Sequence, residues 1–265
     1  MKIFDQFKPL WLIGLLTCSL ILTGCMHETE EDTMEDDDMM QMDDSKDDDK
    51  MTDDDTMMDN KTMAKYEISV INITHGQPLT PAAAILHGKD YHPWMLGSEA
   101  STGLEKLAES GDTSDFVSQS MSNTAVLDSQ TSTGGPFGPG ANKMLMVTAE
   151  HSSNLQLSVA SMLANTNDAF SGVSNWHIGG LEVGKSMSTL ARVYDAGTEA
   201  NTEAAGTLPG PADSGEGFNA ARESRNTVVI HPGVVTADDG LSTSVLTEAH
   251  RWLGPAAKII VTRKE

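Results

Sequence analysis

The residues Leu155-Gln156-Leu157-Ser158-Val159-Ala160-Ser161-Met162 carry the most regular pattern in the chain. Leu155, Leu157, Val159 and Ser161 fall on one side and Gln156, Ser158, Ala160 and Met162 on the other, which is the two-residue period of a strand. The run leads into Asn165-Thr166-Asn167-Asp168, where polar oxygens replace apolar side chains within a few residues. The arrangement then repeats: Met187 to Tyr194 reads as the next long strand, and Asp195-Ala196-Gly197-Thr198-Glu199 follows it directly. Two neighbouring strands that each end in an oxygen-rich loop predict a sheet protein whose loops converge at one end. Carboxylate and amide oxygens so placed suit a hard cation such as calcium, which takes about six to eight of them.

The flanking segments read in the same way. Tyr66 to Ile73 alternates and is rich in Ile and Val, His75-Gly76-Gln77-Pro78 makes a turn, and Leu79 to His87 continues as a second extended segment with Pro81 at an edge or a strand start. Together they predict a hairpin-like opening. Leu104, Leu107 and Ala108 change the period to that of a helix, with Ser101-Thr102 as the N-cap and Gly111 as the stop. Thr113 or Ser114 then caps a second short helix through Phe116, Val117 and Met121. Thr131 to Ala141 is a Gly/Pro loop, while Met144 to Thr148, Thr227 to His231 and Ala257 to Arg263 read as strands. Strands separated by Gly/Pro turns, with few helices, predict an all-β protein, an antiparallel β-sandwich with one or two short helices in insertions.

The N-terminus supplies an address. Lys2 and Lys8 precede an apolar run from Leu10 to Leu22 that closes with Leu22-Thr23-Gly24-Cys25. The run is shorter than the ~20 residues a spanning helix needs, and a small-residue site ending in cysteine looks like a bacterial lipoprotein signal. Residues 1–24 are therefore expected to be removed, leaving Cys25 lipidated as the first mature residue. Cys18 leaves with the signal, so no disulfide is expected. Met26 stands where an aspartate would resemble an inner-membrane retention signal, which favours the outer membrane. Residues 25–65 then form an acidic tether: between His27 and Thr62 lie 17 acidic residues and three lysines, with no aromatic or branched aliphatic side chain, a composition expected to stay disordered and extended. Its methionines Met34, Met39, Met40, Met42, Met51, Met57, Met58 and Met63 could alternatively capture copper(I) through their thioethers.

Residues 66–265 hold 11 basic and 21 acidic side chains. A domain of that sign repels nucleic acid, and no basic stripe is present. The loop Gly134-Gly135-Pro136-Phe137-Gly138-Pro139-Gly140 lacks the Lys-Ser/Thr pair of a phosphate loop, since Lys143 opens a strand. His75, His87, His92, His151, His177, His231 and His250 are scattered, without a zinc-ligand spacing, and His231 reads as a residue flanking the turn at Pro232. No Gly-x-Ser-x-Gly elbow exposes a nucleophile. Trp94, Trp176 and Trp252 read as core or interface aromatics rather than a sugar platform.

Ala160-Ser161-Met162-Leu163 with Asn165-Thr166-Asn167-Asp168-Ala169-Phe170, and then Val193-Tyr194-Asp195-Ala196-Gly197-Thr198-Glu199, resembles the spondin N-terminal domain of F-spondin, mindin and bacterial surface proteins. Gly215-Glu216-Gly217-Phe218 and the terminal Ala257-to-Arg263 segment are similar to it as well. The resemblance implies a sandwich of about eight strands, similar to calcium-dependent lipid-binding domains. It also implies a divalent cation, calcium foremost, held at one end by Asp168, Asp195 and Glu199. Glu199 departs from the aspartate usual in the animal pattern, and a longer carboxylate can still ligate calcium. Together with the signal, this predicts a non-enzymatic binding or adhesion module, tied to the membrane through Cys25 and meeting an extracellular protein or glycan. The competing expectation is a hydrolase acting on an extracellular polymer, which would need a catalytic pair in a cleft.

Overall fold

In the computed structural model, which describes residues 62–221 and 225–265, strand β1 (Met63–Asn72) buries every second side chain: Ala64, Tyr66, Ile68, Val70 and Asn72. The last strand, β9 (Ala257–Arg263), does the same with Ala257, Ile259, Val261 and Arg263. Such alternation marks strands with one face on a core and one towards solvent. By contrast β2 (Ala83–His87) is buried throughout and β5 (Gln156–Met162) nearly so, because a second layer covers their outer face.

That layer is helical. Helix α1 (Thr102–Ser110) begins where the Ser101 hydroxyl accepts the Leu104 N–H at 3.2 Å, and it ends at Gly111 in the left-handed region. Helix α2 (Ser114–Ser120) follows after three residues. Leu104, Leu107, Ala108 and Phe116 pack with Ile85, Trp94, Ala160 and Phe170 on the outer face of the sheet. Trp94 stands edge-on to Phe170 and Tyr194, and those two rings stack at 5.2 Å.

The remaining strands are β3 (Val126–Thr131), β4 (Asn142–Glu150), β6 (Ala169–His177), β7 (Ser186–Asp195) and the short β8 (Val229–Ile230). All nine join one antiparallel sheet in the order β3-β2-β5-β6-β7-β9-β1-β4, with β8 on β7. The two layers expected of a sandwich are two halves of this sheet. β7 belongs to both: residues 186–191 pair with β9, and residues 192–195 pair with β6. The sheet folds over so that Tyr66, Ile68, Leu145 and Ile259 of one half meet Leu86, Leu157 and Val159 of the other in the main core. Closure is nearly complete, since Asp128 of β3 accepts the Thr148 N–H of β4 at 2.8 Å, drawing one edge of the sheet towards the other.

Two particulars differ from the sequence reading. β1 does not form a hairpin with β2; it pairs with β4 and β9, and β2 lies in the opposite half between β3 and β5. β3 and β6 were not foreseen, so the strands called neighbours, β5 and β7, are separated by β6. Trp94 and Trp252 are core aromatics as expected. The signal, Cys25 and the acidic tether up to Lys61 lie outside the described residues.

Candidate cation site at the β6–β7 loop end

Antiparallel pairing brings the two oxygen-rich loops together. Asp168 immediately precedes β6 and Asp195 is the last residue of β7, with Ala169 opposite Asp195 in the ladder. The Asp168 carbonyl accepts the Ala196 N–H at 3.2 Å. Its carboxylate Oδ2 accepts the N–H groups of Thr198 and Glu199 at 2.8 and 3.0 Å, so the first loop organises the second. Asp195 folds its own loop: Oδ1 accepts the Gly197 N–H at 2.8 Å, while Oδ2 accepts the Asn201 side-chain amide at 2.8 Å and lies 3.6 Å from the Arg225 guanidinium. Gly197 has φ +73°, and a Cβ there would sit 2.2 Å from the Thr227 carbonyl oxygen. Only glycine makes that turn.

The neighbouring amides act as staples. Asn165 Oδ1 accepts the Ala212 N–H, Asn167 Oδ1 accepts the Glu203 N–H, and the Asn167 amide donates to Glu199 Oε2 at 3.2 Å. Asp168, Asp195 and Glu199 are thus all buried, 0, 1 and 4% exposed, within one loop cluster.

Electrostatics singles out Asp168. Burial first, and then the charges of Asp195 and Glu109, push its carboxyl from the ordinary 3.8 up to about 7, against the opposing Thr198 N–H. Its Oδ1 is buried and accepts no hydrogen bond from any described residue. An orphaned carboxylate oxygen facing like charges has the donor chemistry of a hard-cation ligand. The three carboxylates share the loop cluster without closing into a cage, however. Among the described residues no group of three His, Cys, Asp or Glu side chains is arranged to hold a metal.

Two acidic residues at this end were absent from the sequence reading. Glu109 is fully buried at the end of α1, where Oε2 accepts the Asn219 N–H at 3.0 Å. A carboxylate beside Leu107 and Ala108, in the last turn of an amphipathic helix, was the available signal. Glu203 is buried with φ +49°, and burial raises its carboxyl pKa; nothing in its local pattern announced this. His231 is also more than a turn residue. It is buried against Trp252, with ring centroids 5.2 Å apart, and burial holds its pKa down to about 4. Nδ1 accepts the Gly233 N–H, so the neutral ring carries its proton on Nε2, which meets no described partner.

An antiparallel sheet closed around its core, with the chemistry gathered in loops at one end, defines an all-β binding scaffold. The Spondin_N family profile matches residues 74–207, which span β2 to β7, both helices and both oxygen-rich loops. The match covers just over half of the chain, and the chain belongs to the spondin N-terminal domain family. It is an extracellular module of the binding or adhesion type. No curated protein matches the chain. Among the described residues no helix is long and apolar enough to cross a membrane.

Proposed function

We propose that the chain is a lipid-anchored adhesion or recognition module of the cell envelope, held at the outer membrane through Cys25. Its β6–β7 loop end is organised by a divalent cation, calcium by preference. The observation that carries the cation reading is Asp168: a fully buried carboxyl next to two other carboxylates, with one oxygen tying Thr198 and Glu199 and the other without a donor. Asp168, Asp195 and Glu199 supply the carboxylates, and the ion's charge would offset their mutual repulsion at short range. The cation here is structural: it fixes loops whose outer surface meets an extracellular protein or glycan.

Binding to the folded form alone raises stability by linkage, by about 2.7 kcal/mol at a hundred times the dissociation constant. The test is calorimetry of the full chain with calcium, magnesium or chelator, for wild type and Asp168→Asn. The acidic tether is the same in both proteins, so its weak calcium binding cancels in the comparison. Calcium is expected to raise the melting temperature of wild type and not of Asp168→Asn; equal shifts in the two would sink the site.

A further inference from the structure

Where β7 passes from one half of the sheet to the other, its neighbours part. The carbonyls of Ala191 and Val193 point to the same side of β7; the first accepts the Ala256 N–H at the entry to β9 and the second the His231 N–H at the exit from β8. Between them the chain leaves β8 through Pro232-Gly233 and enters β9 through Gly254-Pro255. Proline has no N–H to continue a ladder, so neither strand extends across the gap. The result is a crevice of about 420 Å³ with Arg192 and Val193 along β7 and Ile230, Pro232, Trp252 and Pro255 on its sides. It lies in the size range of small-ligand and side-chain pockets.

Two features of the mouth define what fits. The first is Arg192, whose backbone sits in the β6–β7 ladder but whose exposed guanidinium makes no hydrogen bond or ion pair with a described residue. The other arginines among the described residues are engaged: Arg225 with Asp195, Arg251 with Asp239 and Glu248, and Arg263 with the Glu265 and Leu181 carbonyls. An uncommitted guanidinium, on a domain with nearly twice as many acids as bases, offers a planar fork to a carboxylate from elsewhere. The second is Leu253, 91% exposed at the lip, with Ile230 45% exposed across from it. The backbone N–H groups of Leu253 and Gly254 donate to no described residue. A second crevice, of about 370 Å³ and lined by Ile73 and His75, lies on the other flank of the same Trp252-Leu253 ridge. A compact ligand filling one crevice would leave Leu253 in water; an extended one crossing the ridge covers it.

We propose that this crevice docks an extended peptide segment of a partner protein that carries an aromatic or branched aliphatic side chain beside a carboxylate. The apolar side chain fills the gap against Trp252 and the two prolines, and the carboxylate pairs with Arg192. The peptide main chain accepts from the free N–H groups of the 253–254 turn as it crosses Leu253. The inference rests on the binding-module reading and adds to it a docking surface separate from the cation-organised loops, so it does not depend on the cation.

The test pans a random heptapeptide phage library on the immobilised full chain, then titrates the synthetic consensus peptide against variants. The expected consensus places an aromatic or aliphatic residue next to Asp or Glu. Arg192→Gln and Leu253→Asp, both at exposed positions and checked for unchanged melting, are expected to weaken the peptide about ten-fold or more, as for loss of one charge-assisted contact or the apolar cover. Arg192→Lys is expected to recover part of the loss. Asp168→Asn is expected to bind as wild type, so failure of the cation reading leaves this result standing, and the reverse. No enrichment, a consensus without acid, or equal binding by Arg192→Gln would overturn the proposal. So would concentration-dependent dimerisation abolished by Leu253→Asp, which would assign the surface to a second copy of the chain.

Discussion

Burying the Asp168 carboxyl beside Asp195 and Glu109 raises its pKa from 3.8 to about 7, and the sign of the consequence is definite. The folded chain holds this proton more tightly than the unfolded chain, so without a cation Asp168 costs no charge burial below about pH 4. The cost then grows as pH rises to about 7 and levels off above it. The Glu203 carboxyl, also raised by burial, adds to the trend in the same direction. Buried His231, its pKa held down to about 4, and buried His87, also lowered, act in the opposite sense as pH falls below about 6.5, so the Asp168 share is the difference between wild type and Asp168→Asn in chelator, expected to favour wild type more at pH 5 than at pH 8. Asp168→Asn keeps an oxygen for the Thr198 and Glu199 N–H groups while removing the charge, and is expected to lose the Asp168 share and leave the opposing histidine dependence, which favours pH 8 over pH 5. Thermal melts of both proteins across pH 4–8 in chelator measure the difference, and parallel profiles would remove Asp168 as the source. Calcium added at pH 8 is expected to restore to wild type what deprotonation costs.

At the scale of elements, the convergence of the loops depends on one strand and one glycine. β6 sets Asp168 opposite the end of β7, and Gly197 lets the second loop turn back under Thr227. Gly197→Ala combines a left-handed φ with a 2.2 Å approach to a backbone oxygen, and is expected to cost at least about 2 kcal/mol and to abolish the calcium shift together with it. Denaturant unfolding with and without calcium checks both. The same elements show what the sequence discloses. β1, β7 and β9 were legible because one face meets the core and the period of two survives in the residues, whereas β5, buried on both faces, was legible because Gln156 and Ser158 still alternate with Leu155, Leu157 and Val159. The ends of α1 were legible because Ser101 and Gly111 have local mechanisms. β6 was not, since Ala169-Phe170-Ser171-Gly172 is buried on both faces and its Gly and Ser residues read as loop. β3 was missed for a related reason: Val126-Leu127-Asp128-Ser129-Gln130-Thr131 is an edge strand with little buried side-chain pattern. The pairing of β1 with β4 and β9 was out of reach because register between distant strands leaves no local trace. The loop motifs themselves were readable as chemistry, whereas Glu109 comes from a helix 59 residues before Asp168, and only the fold brings it there.

For the whole molecule the charge distribution decides how the proposed anchor would work. The chain carries a formal charge of -22, with 17 acidic residues between His27 and Thr62, directly after the cysteine expected to carry the lipid. Peripheral proteins often supplement an acyl chain with a basic patch drawn to anionic headgroups, a contribution that salt screens within about 8–10 Å. Here the residues next to Cys25 have the opposite sign, so electrostatics opposes the membrane and, under the proposed anchoring, attachment would rest on the lipid alone. Two outcomes follow from that balance. A wash with about 1 M NaCl is expected to leave wild type on the membrane, because screening weakens only a repulsion. Cys25→Ser is expected either to appear in the soluble fraction or to remain unprocessed, at the larger mass that keeps residues 1–24. Fractionation followed by intact-mass measurement distinguishes these two forms. A Cys25→Ser protein that stays with membranes at its mature mass would exclude lipidation as the anchor.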